Sequence, residues 1–206
     1  MENVCHVYNR SICEFIIFRN DNEFLRMAET MRYYQYEKPP IKFSRHVMGS
    51  DMPSPVRCGI GQGEKRVDVL AYCIMPTHIH FLLSELKENG ISDFTHDTLS
   101  SYSHYFNTKY ERKGPLWESR SKRAHIKTDE QLLHTTRYIH LNPTTAHLVK
   151  MPEDWLFSSY GEYIGLVPND KKICTIKNSL LEINPDSYKK FVEERIDYQK
   201  ELARLK

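Results

Sequence analysis

The clearest pattern in the chain is a pair of short apolar runs separated by one interruption. Val67 to Met75 reads VDVLAYCIM, Pro76–Thr77 breaks the run, and His78 to Ser84 resumes as HIHFLLS. Apolar and β-branched stretches of this length, bounded by turn residues, predict two strands joined by a tight connection. Val4 to Phe18 has a similar character and predicts a strand or two. Elsewhere the period changes. Behind Asn20–Asp21, the residues Phe24, Leu25, Ala28 and Met31 recur at helical spacing, and this helix must stop before Pro39–Pro40. Ile91 to Glu111 predicts a second helix, with Phe94, Leu99, Tyr102, Phe106 and Tyr110 on its apolar face and Gly114–Pro115 ending it. Ser121 to Lys127 (SKRAHIK) predicts a short basic strand. Thr128, with Gln131 three residues on, forms a capping-box signature for a third helix running to about Asn142, ahead of Pro143. Asn184–Pro185 opens a last helix carrying Tyr188, Val192, Ile196 and Leu202.

The order strand, helix, strand, strand, helix, strand, helix predicts an α+β fold, a mainly antiparallel sheet with helices packed on it. Residues 38–66 hold four prolines and four glycines and form an irregular insertion. The organisation expected is one domain over residues 1–165 and a C-terminal extension, 166–206, with an amphipathic helix. Neither repeats nor low-complexity stretches interrupt it.

Composition narrows the class only a little. The 206 residues carry a net charge of +2 with histidine neutral, so bulk charge argues neither for nor against nucleic acid. Local clustering says more: residues 109–127 hold seven basic residues against Glu111 and Glu118. The five cysteines are odd in number and contain no Cys-x-x-Cys pair, which suits neither a zinc site nor a disulfide framework. Reduced thiols, a start (MENVCHVYNR) unlike a signal peptide, and no apolar run near the ~20 residues of a membrane span lead to the expectation of a cytoplasmic protein.

Two motifs carry chemistry. In MPTHIHFLL (Met75 to Leu83), His78 and His80 sit two apart on a strand, so they share one face while Ile79 points to the other. Two imidazoles so placed can hold a metal ion; the plain alternative is two hydrogen-bonded strand residues. A histidine-triad hydrolase would need a third histidine where Leu82 stands. In RYIHLNP (Arg137 to Pro143), Tyr138 and Asn142 lie four apart on one helix face, with His134 a turn earlier. Their plain alternative is an interfacial tyrosine and a C-terminal asparagine tied to backbone. Combined, two histidines and an amide oxygen make a neutral ligand set, beside which a tyrosine hydroxyl could attack phosphorus.

The chain resembles the HUH single-tyrosine transposases, the family of IS200-like and REP-associated tyrosine transposases. MPTHIHFLL resembles the family's His-hydrophobe-His strand and RYIHLNP its nucleophile helix. HVYNR (His6 to Arg10) resembles its opening strand, SYSHYFNTKYERKGPLWESR the segment between the motifs, and PEDWLFSSYGEYIG the segment after them. The similarity runs over roughly residues 4–165 in the same order. It implies a ferredoxin-like sandwich and cleavage of single-stranded DNA near hairpins or palindromic ends through a 5′-phosphotyrosine intermediate, with Mg2+ or Mn2+. It implies Tyr138 as nucleophile and His78, His80 and Asn142 as metal ligands. Glu118–Ser121 departs from the Gln-Gly-Arg-Phe-like residues the family usually shows after Trp117.

For DNA contacts the expected residues are Arg120, Lys122, Arg123 and Lys127 from the basic stretch, with Asn9 and Arg10 on resemblance alone. Tyr102, Tyr105 and Trp117 are candidates for stacking on unpaired bases. The SSYGEY stretch (Ser158 to Tyr163) is expected to pack structurally. An active transposase, a domesticated palindrome-processing nuclease and a catalytically silent DNA-binding regulator all stay open, as do monomer and homodimer.

Overall fold

A computed structural model describes residues 3–37, 43, 63–176 and 183–205. The 38–66 insertion therefore lies outside the described residues except for Phe43 and residues 63–66. The sheet is built from β1 (Val4–Arg10), β2 (Val67–Met75), β3 (His78–Glu85) and β4 (Lys122–His125). All pairings are antiparallel and the spatial order is β2-β3-β1-β4. Helix α1 (Asp21–Tyr34) connects β1 to β2, and α2 (Gly90–Lys109) connects β3 to β4. This βαββαβ path, with β1 inserted between the third and fourth strands, is the ferredoxin-like arrangement that the resemblance implies, and it fits the α+β layering expected from the element order.

Both faces of the sheet are covered, which explains why β2 and β3 read as almost continuous apolar runs. Phe24, Met27 and Met31 of α1 and Phe94, Tyr102 and Phe106 of α2 pack on one face with Val7, Ile79, Phe81 and Leu83. On the other face lies α3 (Asp129–Thr145), whose Leu132, Ile139 and Leu141 meet Val4, Leu70, Ala71, Cys73 and Leu82. A register shift between Val69 and Ala71 marks a bulge in β2. The bulge changes the alternation: Val67 and Val69 face the α1/α2 layer, as do Tyr72 and Ile74 beyond it.

The C-terminal extension adds α5 (Pro185–Glu193) and α6 (Ile196–Arg204), preceded by a one-turn helix α4 (Tyr160–Tyr163). Tyr188 and Val192 of α5 are fully buried in the α3-side core. Glycine is required at Gly90, where a Cβ would come 2.2 Å from the Arg66 carbonyl oxygen. Among the described residues no helix is long and apolar enough to cross a membrane.

Several local expectations change. The 4–18 segment holds one strand, followed by a 3-10 turn at Ile12–Glu14 in which Cys13 and Glu14 are left-handed. From there the chain runs back under the β2–β3 turn, with Ser11 N–H donating to the Thr77 carbonyl and Ile17 N–H to that of Pro76. Leu25 faces solvent. The tail forms two helices, broken at Glu194–Arg195. Pro143 does not end α3 but sits within its last turns. Proline there has no N–H for the Ile139 carbonyl, and the side-chain amide of Asn142 donates to that carbonyl (3.4 Å) and to the Tyr138 carbonyl (2.9 Å).

Candidate functional site

The sheet face under α3 presents the two histidines. His78 and His80 alternate with Ile79 along β3, and Ile79 is buried in the opposite core. Antiparallel register with β1 sets Tyr8 across from His80 and Arg10 across from His78. His6, two residues before Tyr8, shares this face. Tyr138 comes down from α3, its ring edge-on to His80 (centroids 5.7 Å apart) and to His6 (5.9 Å). His78, His80, Tyr138 and Asn142 line one cleft of about 290 Å3 with Tyr8, Asn9, Arg10, Glu14 and Thr77. The two sequence motifs, 60 residues apart, are thus brought together.

The position of Tyr138 follows from what holds α3. Thr128 Oγ1 accepts from Gln131 N–H at 3.1 Å, and the Gln131 side chain returns to Lys127 N–H rather than to Thr128 itself. His140 faces away from the cleft and is fully buried. Its Nδ1 pairs with the Tyr188 hydroxyl and its Nε2 with Ser159 Oγ, both at 2.7 Å. Ser159 Oγ in turn accepts from Tyr72 N–H on β2 at 2.9 Å. The histidine of RYIHLNP is therefore a structural pin between α3, α5 and the sheet.

Within the cleft both imidazoles are tied by the same nitrogen. His80 Nδ1 lies 3.1 Å from His6 Nε2, and His78 Nδ1 lies 3.0 Å from Thr77 Oγ1. Their Nε2 atoms are the ones left for the cleft. Burial holds His78 down to about 4, with the Arg10 charge a lesser cause; it holds His80 well below the usual imidazole range, with His78 and His6 adding to the effect. His6 is lowered to about 4 by burial. At neutral pH the three rings are therefore uncharged, the form that binds metals. Tyr138 is half-exposed, and burial, with Tyr8 and Cys73 behind it, raises its phenol above the usual value. It enters neutral solution as a phenol and not as a phenolate. Asn142 spends its NH2 group on backbone, which leaves the amide oxygen as its free polar atom. No three His, Cys, Asp or Glu side chains converge into a metal-ligating group among the described residues.

The expected DNA-contact residues divide. Asn9 is buried and its amide donates to the Ser119 carbonyl at 3.0 Å, tying β1 to the segment before β4. Arg10 lies between Glu14 and Glu118, both at 3.6 Å, at the rim of the small cleft. Arg120 and Arg123 line a second, larger groove of about 1010 Å3 beside α2, with Trp117, Asn9, Thr95 and a row of serines. Lys122 pairs in register with Tyr8 and so belongs to the histidine face, whereas Arg123 pairs with Val7 and belongs to the other. Lys127 is exposed ahead of α3. Tyr102 is fully buried with its hydroxyl on the Ile17 carbonyl at 2.6 Å, so it cannot stack on a base. Trp117 is half-buried in the groove wall, its indole N–H donating to the Leu99 carbonyl at 3.2 Å. In SSYGEY, Tyr163 donates to the Leu70 carbonyl at 2.6 Å, and Glu162 accepts from Tyr72 and from the Ile173 and Cys174 N–H groups; this stretch packs structurally, as expected.

Sequence reasoning overlooked His6, Tyr8 and Glu14. A period-two reading of His6-Val7-Tyr8 shows a polar-aromatic face on β1, but only the β1–β3 register shows that it meets His80.

Residues 60–142 match the model of the family described as Transposase IS200 like. A Haemophilus influenzae protein provisionally named a REP-associated tyrosine transposase is 32% identical over 106 residues, 45% of this chain. The match spans 58% of that protein's length. A solved structure of a REP-associated tyrosine transposase bound to a REP hairpin superposes with a TM-score of 0.46 at 16% identity, covering 86% of this chain and 90% of the other. The resemblance suggested by the two motifs is borne out over a segment that holds His78, His80, Tyr138 and Asn142.

Proposed function

We propose that this chain is an IS200-like tyrosine transposase that cuts and rejoins single-stranded DNA beside hairpins or palindromic ends. The observation that carries the reading is the convergence of Tyr138 and Asn142 on the His78–His80 pair in one cleft. In the cleavage step the Tyr138 hydroxyl oxygen attacks the phosphorus of a phosphodiester. The new Oη–P bond forms as the P–O3′ bond breaks; the phenol gives up its proton and the departing oxygen ends as a 3′ hydroxyl. The strand's 5′ phosphate is then held on Tyr138, and a different 3′ hydroxyl can reverse the step, so bond energy is conserved in the covalent link.

His78, His80 and Asn142 would hold a divalent cation, Mg2+ or Mn2+, which supplies polarisation of the phosphate and neutralisation of developing charge. The donor set fits: two neutral imidazoles, each with Nδ1 tied to a neighbour, and an amide whose nitrogen is already spent. Three neutral ligands bring no charge, so binding should tighten when the anionic phosphodiester enters. The raised phenol of Tyr138 is consistent with a nucleophile that needs such help at neutral pH. Arg120 and Arg123, with Trp117 between α2 and β4, would guide the strand by phosphate contact and stacking.

The test is cleavage of labelled hairpin-bearing single strands by the parent chain and by the His78→Ala/His80→Ala double variant, with and without chelator. The reading predicts no cleavage in the variant or under chelation, while salt-sensitive DNA binding persists. Unchanged cleavage in either condition would refute the metal assignment.

A further inference from the structure

We infer that His6 is a positioning residue that fixes the tautomer of His80, accepting the Nδ1 proton and so turning a bare Nε2 into the cleft. The inference rests on the metal reading proposed above and names a residue outside its ligand set. Its basis is geometric. His6 Nε2 stands 3.1 Å from His80 Nδ1, and the two ring planes are only 22° apart with centroids 5.3 Å from one another, the edge-to-edge placement that an in-plane N–H···N bond requires. A hydrogen bond at this distance needs one proton between the two nitrogens, and its owner decides what His80 offers. If His6 donated it, neutral His80 would carry its own proton on Nε2 and present an N–H to the cleft, which no cation can use. If His80 donates it, Nε2 presents a lone pair. Thr77 Oγ1 stands in the same relation to His78, 3.0 Å from Nδ1, so the two rings are held alike by different neighbours. Ligand imidazoles ordinarily give their other N–H to a neighbouring acceptor, and loss of that acceptor typically costs about 10–100-fold in metal affinity.

The placement is a product of the fold. β1 lies beside β3 in the sheet, and the alternation His6-Val7-Tyr8 sends Val7 into the α1/α2 core while His6 and Tyr8 flank His80 on the other face. A third histidine in direct contact with an HxH pair usually invites reading as a third ligand. Here its Nε2 points at His80 Nδ1, so it acts through that ring.

The experiment uses metal-free, 15N-labelled full chain at pH 7.5, with long-range 1H–15N spectra of His80. In the parent protein the proton should reside on Nδ1, with Nε2 bare. His6→Phe keeps an aromatic ring at that place and removes the acceptor; the His80 proton should move to Nε2. His6→Gln returns an acceptor oxygen and should restore the Nδ1 form. Mn2+ titration followed by electron paramagnetic resonance should show affinity about 10–100-fold weaker in His6→Phe and recovered in His6→Gln. A purely structural role for His6 would alter melting temperature without moving the tautomer. A parent His80 protonated on Nε2, or a His6→Phe protein with tautomer and affinity unchanged, would overturn the inference. Absence of Mn2+ binding by the parent would instead overturn the metal reading, and the parent tautomer would still decide whether His6 orients His80.

Discussion

His140 makes the fold acid-sensitive by an amount that can be worked out. Complete burial between Tyr188 and Ser159 lowers its pKa to about 3 in the folded chain, against about 6.5 for an unfolded histidine. A depressed histidine pKa means that the unfolded state takes up a proton the native state refuses. The stabilisation is therefore complete above about pH 6.5 and declines as pH falls from 6.5 towards 3, at about 1.4 kcal/mol per pH unit. Between pH 7.5 and 5.0 His140 alone should cost about 2 kcal/mol. His140→Phe removes the titration and two hydrogen bonds, worth about 1 kcal/mol each. The variant should be about 2 kcal/mol less stable at pH 7.5, yet nearly level with the parent at pH 5.0. Urea unfolding followed by tryptophan fluorescence at both values measures this. Equal pH dependence in parent and variant would show that His140 is not held neutral by the fold. His6 and His78, each lowered to about 4, and His80, held well below the usual range, act with the same sign and contribute to the acid sensitivity that remains in the variant.

Thr128→Ala removes the cap of α3 and should cost about 1 kcal/mol in the same unfolding assay; no change would mean that packing alone sets the start of that helix. Arg120→Ala/Arg123→Ala should weaken binding to single-stranded DNA and reduce the slope of log affinity against log salt by about 0.7 for each phosphate that is no longer neutralised; parent values for both would mark the groove beside α2 as a solvated face. Asn142→Ala should abolish cleavage and loosen the last turns of α3, since the same side chain serves the Ile139 carbonyl that Pro143 leaves unpaired; amide exchange in residues 138–145 reports the second effect, and unchanged protection there would refute it.

Local signals carried most of the elements. The Pro76–Thr77 break, the Thr128–Gln131 cap and the Asn184–Pro185 start each depend on neighbours within a few residues, and the structure uses all three. The shared face of His78 and His80 followed from strand alternation, and that of Tyr138 and Asn142 from the helical turn. What local pattern could not supply was the pairing of β1 with β3, which brings in His6 and Tyr8, and the packing of α3 on the histidine face. Pro143 misled because its usual meaning as a helix end presumes that no side chain replaces its missing donor, and Asn142 does so. Tyr102 carried two readings, a core residue by its helical period and a stacking ring by its nearness to the basic stretch, and the structure keeps the first. The division of Lys122 from Arg123 depends on which face of β4 meets β1.

The most direct test of the account is the chemical identity of the protein–DNA link. Parent chain incubated with labelled hairpin-bearing single strand and Mn2+ is run on a denaturing gel, and the shifted band is digested and mapped by mass spectrometry. Tyr8 is the informative rival, since its ring lies 5.9 Å from that of His80 in the same cleft. Tyr160 and Tyr163 are buried away from it, and Tyr110 is bonded to Glu23. The account predicts a nucleotide phosphate on Tyr138 and no adduct in Tyr138→Phe, with Tyr8→Phe still forming one. An adduct on Tyr8, or one that survives in Tyr138→Phe, would contradict it.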